Sequence, residues 1–255
     1  MKSKILLKIL MPLFLLLTGF NAFAQPFAIS TSTTSLTAVS NTYGTASSDV
    51  SFSVSGDAST ASLIVTVTNS AFEISLTSGG TYSSSIDLGA GAVTATPIFV
   101  RLKATAGVVG SPYSGNILTV SKTDGTPTSI DVAIAASTVA QKALTITGLT
   151  ANTKVYDALL TATLSGTATL SGGLVGADVV TISAGTASFA TKTIGVGKAV
   201  TATGFSLAGA DAANYSVSQP TIPNADITPK GLTITGLTAS NKVYDALLTA
   251  TLTGT

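Results

Sequence analysis

The 255-residue chain contains no His, no Cys and no Trp, and Glu73 is its only glutamate. Charged residues make up 9% of it, against about 25% in an ordinary soluble domain. These absences exclude whole classes of chemistry. Zinc-finger ligation, a thiolate nucleophile, a Ser-His-Asp triad and haem–His ligation each need a residue that is missing. The sequence therefore points to a protein that is not an enzyme, with no cofactor and no metal. Without cysteine, an exported product is stabilised by core burial and not by disulfides. Ser and Thr supply 74 of the 255 residues and Gly another 24, so polarity comes from hydroxyls in place of charge.

The basic residues are unevenly placed. Lys2, Lys4 and Lys8 precede an apolar run from Ile9 to Leu17, and Ala22-Phe23-Ala24 follows. A positive start, a short apolar stretch and small residues at the cleavage positions read as a secretory signal peptide over 1–24, cleaved before Gln25. The run is too short to stay as a membrane span, which needs about 20 residues. With the three lysines removed, nine basic residues face eleven acidic ones. No nucleic-acid partner is expected from that balance, and no membrane insertion after cleavage. The expected location is extracellular, secreted or on the cell surface.

Residues 25–49 are Ser/Thr-rich and weakly patterned, a lead-in or a first strand. From Val50 the apolar period becomes two: Phe52 and Val54 face one way and Ser51, Ser53 and Ser55 the other. Leu63–Thr68, Phe72–Leu76, Ile98–Ala104, Ile117–Val120 and Ile130–Ile134 continue the series. Gly79-Gly80, Gly89, Gly91, Gly107, Gly115 and Asp124-Gly125 punctuate it. Short alternating segments between turn signals predict strands of an antiparallel β-sandwich over 50–137. No long window recurs at the helical period.

Beyond it the chain repeats itself. Residues 143–167 return as 231–255, 88 positions later, with 21 of 25 residues identical. A tandem array follows, with one complete unit over 141–229 and the start of a second over 230–255. Three strands cannot close a core, so the second copy is expected to be mobile and the sequence to be part of a longer protein. In the complete unit Leu144 and Ile146 should point inward, Thr145 and Thr147 outward. Between Val200–Ala202 and Phe205–Leu207 the inward set changes phase across Gly204, which predicts a β-bulge there. The fold class is all-β, with tandem Ig-like antiparallel β-sandwich domains.

Lys154-Val155-Tyr156-Asp157 recurs as Lys242-Val243-Tyr244-Asp245. Around the first copy stand Thr161-Ala-Thr163-Leu164, Gly176-Ala177-Asp178, Gly195-Val-Gly197-Lys198, Asp211-Ala-Ala-Asn214-Tyr215 and Ala225-Asp226-Ile227-Thr228-Pro229-Lys230. In this order they resemble the YDG domain of large bacterial surface and secreted proteins. The resemblance implies an adhesin-like, modular context, with Lys154, Tyr156, Asp157, Asp211, Asn214, Tyr215, Lys242, Tyr244 and Asp245 as structural motif residues. Ala158 and Ala246 stand where the family's name has glycine, which argues against a turn with positive φ. Residues 50–136 resemble, more loosely, the Ig-like repeats found near such arrays. Phe52-Ser-Val54, Phe72-Glu73-Ile74-Ser75 and Val100-Arg101-Leu102 carry that likeness.

Several motifs admit a chemical and a plainer reading. Tyr215 fits a tyrosine corner, its hydroxyl returning to nearby backbone, or an ordinary half-buried strand tyrosine. Lys154 with Asn214 and Asp157 or Asp211 has the composition of an intramolecular isopeptide bond, but a surface Lys–Asp pair beside a packed tyrosine is the plainer expectation. Asp124, Asp131, Asp178 and Asp211 could be calcium ligands, yet they read as turn residues. Asn214-Tyr215-Ser216 is a glycosylation sequon by pattern. A structural spacer is the expected function. The alternative is recognition of an extracellular protein or glycan by the first sandwich, for which Tyr43, Tyr82 and Tyr113 offer the aromatic surface.

Overall fold

The computed structural model describes residues 28–122 and 129–254. The signal segment at 1–24 and the Asp124-Gly125 turn lie outside them. The described chain is all-β, with short antiparallel sheets in every part.

Among the described residues ten strands build the first unit: β1 (Ile29–Thr31), β2 (Ser35–Leu36), β3 (Ser40–Thr42), β4 (Val50–Gly56), β5 (Leu63–Val67), β6 (Phe72–Ser75), β7 (Ser85–Asp87), β8 (Val93–Leu102), β9 (Tyr113–Lys122) and β10 (Ser129–Ala140). One sheet runs β1-β4-β8-β6. The other runs β2-β10-β9-β5-β7, with β3 also on β10. All pairings are antiparallel except those of β2 and β3, which lie parallel to β10. Each segment with alternating apolar residues is a strand, and its inward set packs between the sheets. Val54, Val65, Ile74, Ile98, Val100, Ile117, Val120 and Val132 are fully buried. The residues read as a lead-in supply β1, β2 and β3, with Ile29, Leu36, Val39 and Tyr43 in the same core.

Gln141 alone separates β10 from the first strand of the second unit. That unit contains β11 (Lys142–Ala151), β12 (Lys154–Val155), β13 (Thr161–Ala162), β14 (Leu164–Ser171), β15 (Thr181–Ser183), β16 (Thr186–Phe189), β17 (Gly195–Lys198), β18 (Val200–Thr203), β19 (Ser206–Ala208), β20 (Tyr215–Ser218) and β21 (Ala225–Thr228). They pair as β14-β11-β20, β12-β21-β17, β13-β16-β18 and β15-β19. Leu144 and Ile146 are buried and Thr145 and Thr147 exposed, as the alternation requires. Leu144 and Tyr215 belong to the core of the first unit, while Ile146 joins Phe189, Val200, Phe205 and Ile227 in a second core.

The bulge expected at Gly204 is a different device. Ser183 opposes Ser206 and Thr186 opposes Thr203 in one unbroken register. Residues 184–185 thus face 204–205 and no residue is extra. Both strands break together, and the Gln219 side chain takes over the missing ladder bonds. Its Oε1 accepts from the Phe205 N–H at 3.0 Å and its Nε2 donates to the Phe205 carbonyl at 2.8 Å. A Cβ on Gly185 would lie 2.2 Å from the Thr203 oxygen and 2.5 Å from the Phe205 ring, so only glycine permits the approach.

Beyond Thr228 the described residues of the repeat form only β22 (Thr238–Ala239) and β23 (Leu252–Thr253), paired with each other. Leu232 and Ile234, whose counterparts Leu144 and Ile146 are core residues, are 87% and 85% exposed.

Candidate functional site

Two places gather the motif residues: the junction between the units, and the turn after β12 at the far end of the second unit.

At the junction, Tyr43 leaves β3 with its N–H donating to the carbonyl of Ala140, the last residue of β10. Its ring is buried and meets Tyr215 edge-on, with centroids 5.5 Å apart and an 82° interplanar angle. Both hydroxyls converge on Asp178 Oδ2, Tyr43 at 2.9 Å and Tyr215 at 2.6 Å. Burial, then the hydrogen bond to the Asp178 carboxylate, pushes the Tyr43 phenol up to about 12. The same two causes raise Tyr215. The Asn214 Oδ1 accepts from the Val108 N–H at 2.9 Å, and Gln141 Nε2 donates to the Ala213 carbonyl at 3.0 Å. The motifs Gly176-Ala-Asp178 and Asn214-Tyr215 are thus spent on holding the preceding unit.

This corrects the corner reading of Tyr215. The backbone group on its hydroxyl is the Val175 N–H, at 2.8 Å and 40 residues away, not one a few positions upstream. Sequence reasoning also placed Tyr43 on an exposed aromatic surface, and it is buried in the junction. The other two rings are engaged as well. Tyr82 donates to Asp49 and lies under the Arg101 guanidinium, 3.5 Å from the ring centroid. Tyr113 donates to the Gly107 carbonyl and packs edge-on against Phe72.

At the far end, Lys154 Nζ donates to Asp157 Oδ1 at 2.8 Å, to the Leu159 carbonyl at 2.8 Å and to the Thr161 carbonyl at 3.0 Å. Asp157 Oδ1 also accepts from the Leu159 N–H at 2.9 Å. The Lys154 ammonium beside it, then that N–H, holds the Asp157 carboxyl below its ordinary value. Lys154 stands 5.6 Å from the Phe189 ring centroid. The lysine closes the turn by satisfying three acceptors. Contrary to the expectation from alanine, the backbone inside it is left-handed, with φ 65° at Ala158 and 61° at Ala246. In the second copy Lys242, Asp245 and Leu247 rebuild three of these four bonds, those among the lysine, the aspartate and the leucine. There the turn forms with nothing packed on it, since Tyr244 is 91% exposed; its geometry is local.

Lys154 and Asn214 are not brought together. They sit beyond opposite ends of β11, whose 10 residues span about 30 Å. Asp211 Oδ2 accepts from the Val179 N–H and Asp131 from Asn116 and Thr119. Among the described residues no cluster of three or more groups is arranged to hold a metal ion. An open apolar cleft of about 650 Å³ lies between β14 and β15, lined by Leu149, Leu164, Leu170, Ile182 and Phe205 among others.

Residues 140–222 match the model of the YDG domain. No curated protein matches the chain. Among solved structures, the crystal structure of the periplasmic chaperone SfaE aligns at 9% identity and a TM-score of 0.25, over 71% of this chain and 98% of that one.

Proposed function

We propose that the chain is a non-catalytic spacer segment of an exported, modular, adhesin-like protein of the cell surface or secreted fraction. In this reading an Ig-like domain is followed by YDG units that add length end to end. One observation carries it: the two units share a core. Leu144 and Tyr215 of the second pack with Tyr43 and Val139 of the first, and only Gln141 links β10 to β11. A hinge would need a longer link and a polar interface; here the last strand of one unit runs into the first strand of the next. The strand orders β1-β4-β8-β6 and β5-β9-β10 support an Ig-like first unit, since they follow the ABED and CFG arrangement of that fold, with β7 added beside β5. Hydroxyl-rich outer faces keep such an array soluble with few charges.

Small-angle X-ray scattering of the chain beginning at Gln25 tests the reading. A scattering curve fitted by one fixed arrangement of the two units is expected. A curve that requires an ensemble of interunit angles would refute the spacer reading.

A further inference from the structure

The far end of the first unit and the far end of the second are built alike, although their sequences are not. In the first, the short strand β3 lies parallel to the last strand, with Thr42 opposite Ala140, and the next residue, Tyr43, donates its N–H to the Ala140 carbonyl at 2.9 Å. In the second, β12 lies parallel to the last strand, with Val155 opposite Thr228. The next residue, Tyr156, donates its N–H to the Thr228 carbonyl at 2.9 Å. The flanking loops correspond too. Val108, which bonds Asn214, lies in the loop entering β9, the antiparallel neighbour of β10. Ile194 lies in the loop entering β17, the antiparallel neighbour of β21.

What differs is what lies beyond. Tyr43 is covered by Asp178 and Tyr215 of the unit that follows it. Tyr156 is 37% exposed and Ile194 54%. Together with Thr193, Pro229, Lys230 and Leu232 they line an open cleft of about 480 Å³, at the place where the next copy begins.

We propose that Tyr156 is the joint residue of the array. It docks against the near end of a following YDG unit, its hydroxyl donating to that unit's counterpart of Asp178 and its ring meeting the counterpart of Tyr215. The occupant of the cleft is therefore a further copy of the same unit, whose opening residues stand at 231–255. The argument is continuity with the junction already formed: the same backbone position carries the tyrosine, and the same strand leads into the next unit. The family's tyrosine and its Gly-Ala-Asp and Asn-Tyr motifs then become two halves of one contact, made between neighbours and not within a unit. The inference rests on the spacer reading and gives it a specific joint.

The test extends the full chain at Thr255 with a second copy of residues 168–229, which completes the following unit. Four versions are compared: the parent, Tyr156→Phe, Asp178→Asn in the appended copy only, and both together. Each single change should lower the melting midpoint by about 2–4 °C, and the double change should cost no more than one of them. In the chain ending at Thr255, Tyr156→Phe should shift nothing. Additive losses, or equal losses in both chain lengths, would overturn the joint. Scattering on the extended parent separates the two claims. A rigid rod with additive losses removes the tyrosine joint alone, whereas independently moving units remove the spacer reading with it.

Discussion

At the scale of single residues, the turn after β12 shows a side-chain bond overriding a backbone preference. Ala158 occupies left-handed space at φ 65°, which costs an L-residue with a Cβ roughly 1–2 kcal/mol. The Lys154–Asp157–Leu159 bonds hold it there. Ala158→Gly should therefore stabilise the second unit by about 1 kcal/mol, seen as a higher denaturation midpoint at unchanged slope. Lys154 is the costlier residue to lose. Lys154→Met would hand the Leu159 and Thr161 carbonyls, both on exposed residues, to water, at a cost of about 0.5–1.5 kcal/mol. The turn also has an acid limit. Because the Asp157 carboxyl titrates below its ordinary value of 3.8 in the folded chain, its contribution is complete above about pH 4 and is lost as pH falls through the lowered value. Asp157→Asn should flatten that acid dependence in a thermal-melt series between pH 6 and 2. The motif could be read from the sequence, and so could the Lys–Asp pairing, because both partners lie within one turn. The sign of φ at Ala158 could not, since it is set by three bonds that propensity does not include.

Among the elements, strands with strict alternation were legible and interrupted ones were not. Leu144 and Ile146 against Thr145 and Thr147 define a face without any partner being known. The stretch around Gly204 shows the limit of that reasoning. A phase change in one strand fits an extra residue or a paired break, and only the opposing strand, with Gly185, decides between them. The break gives a sharp expectation. Gln219→Ala removes the amide that satisfies the Phe205 N–H and carbonyl and should cost about 1 kcal/mol. Gly185→Ala forces a Cβ to within 2.2 Å of the Thr203 oxygen, a backbone clash that should cost about 1–3 kcal/mol or more. Denaturant titration of both variants checks the order, with the glycine change the more damaging. Short pieces such as β1, β2 and β3 cannot be told from a lead-in for a related reason: two or three residues carry no period, and their place in the sheet comes from β4 and β10.

For the molecule as a whole, the junction was the part the sequence concealed. Tyr43 and Asp178 are 135 positions apart, and nothing local marks them as partners. Their contact has a measurable alkaline limit. Folding raises the Tyr43 phenol from 10.0 to about 12, so the protonated form is favoured in the folded chain. That stabilisation is complete below about pH 10 and is lost as pH rises towards 12. Melting of the chain should decline over that window, and Tyr43→Phe should lower stability at neutral pH by about 1.5–3 kcal/mol while flattening the alkaline decline. The parallel pairing of early strands with the final strand of each unit, β3 on β10 and β12 on β21, has a different consequence. A pull applied along the chain draws such strands past one another lengthwise. It loads their hydrogen bonds together, in shear, where an antiparallel terminal hairpin would be unzipped one bond at a time. A chain pulled from its two ends would meet tension in that direction, and its units should yield late.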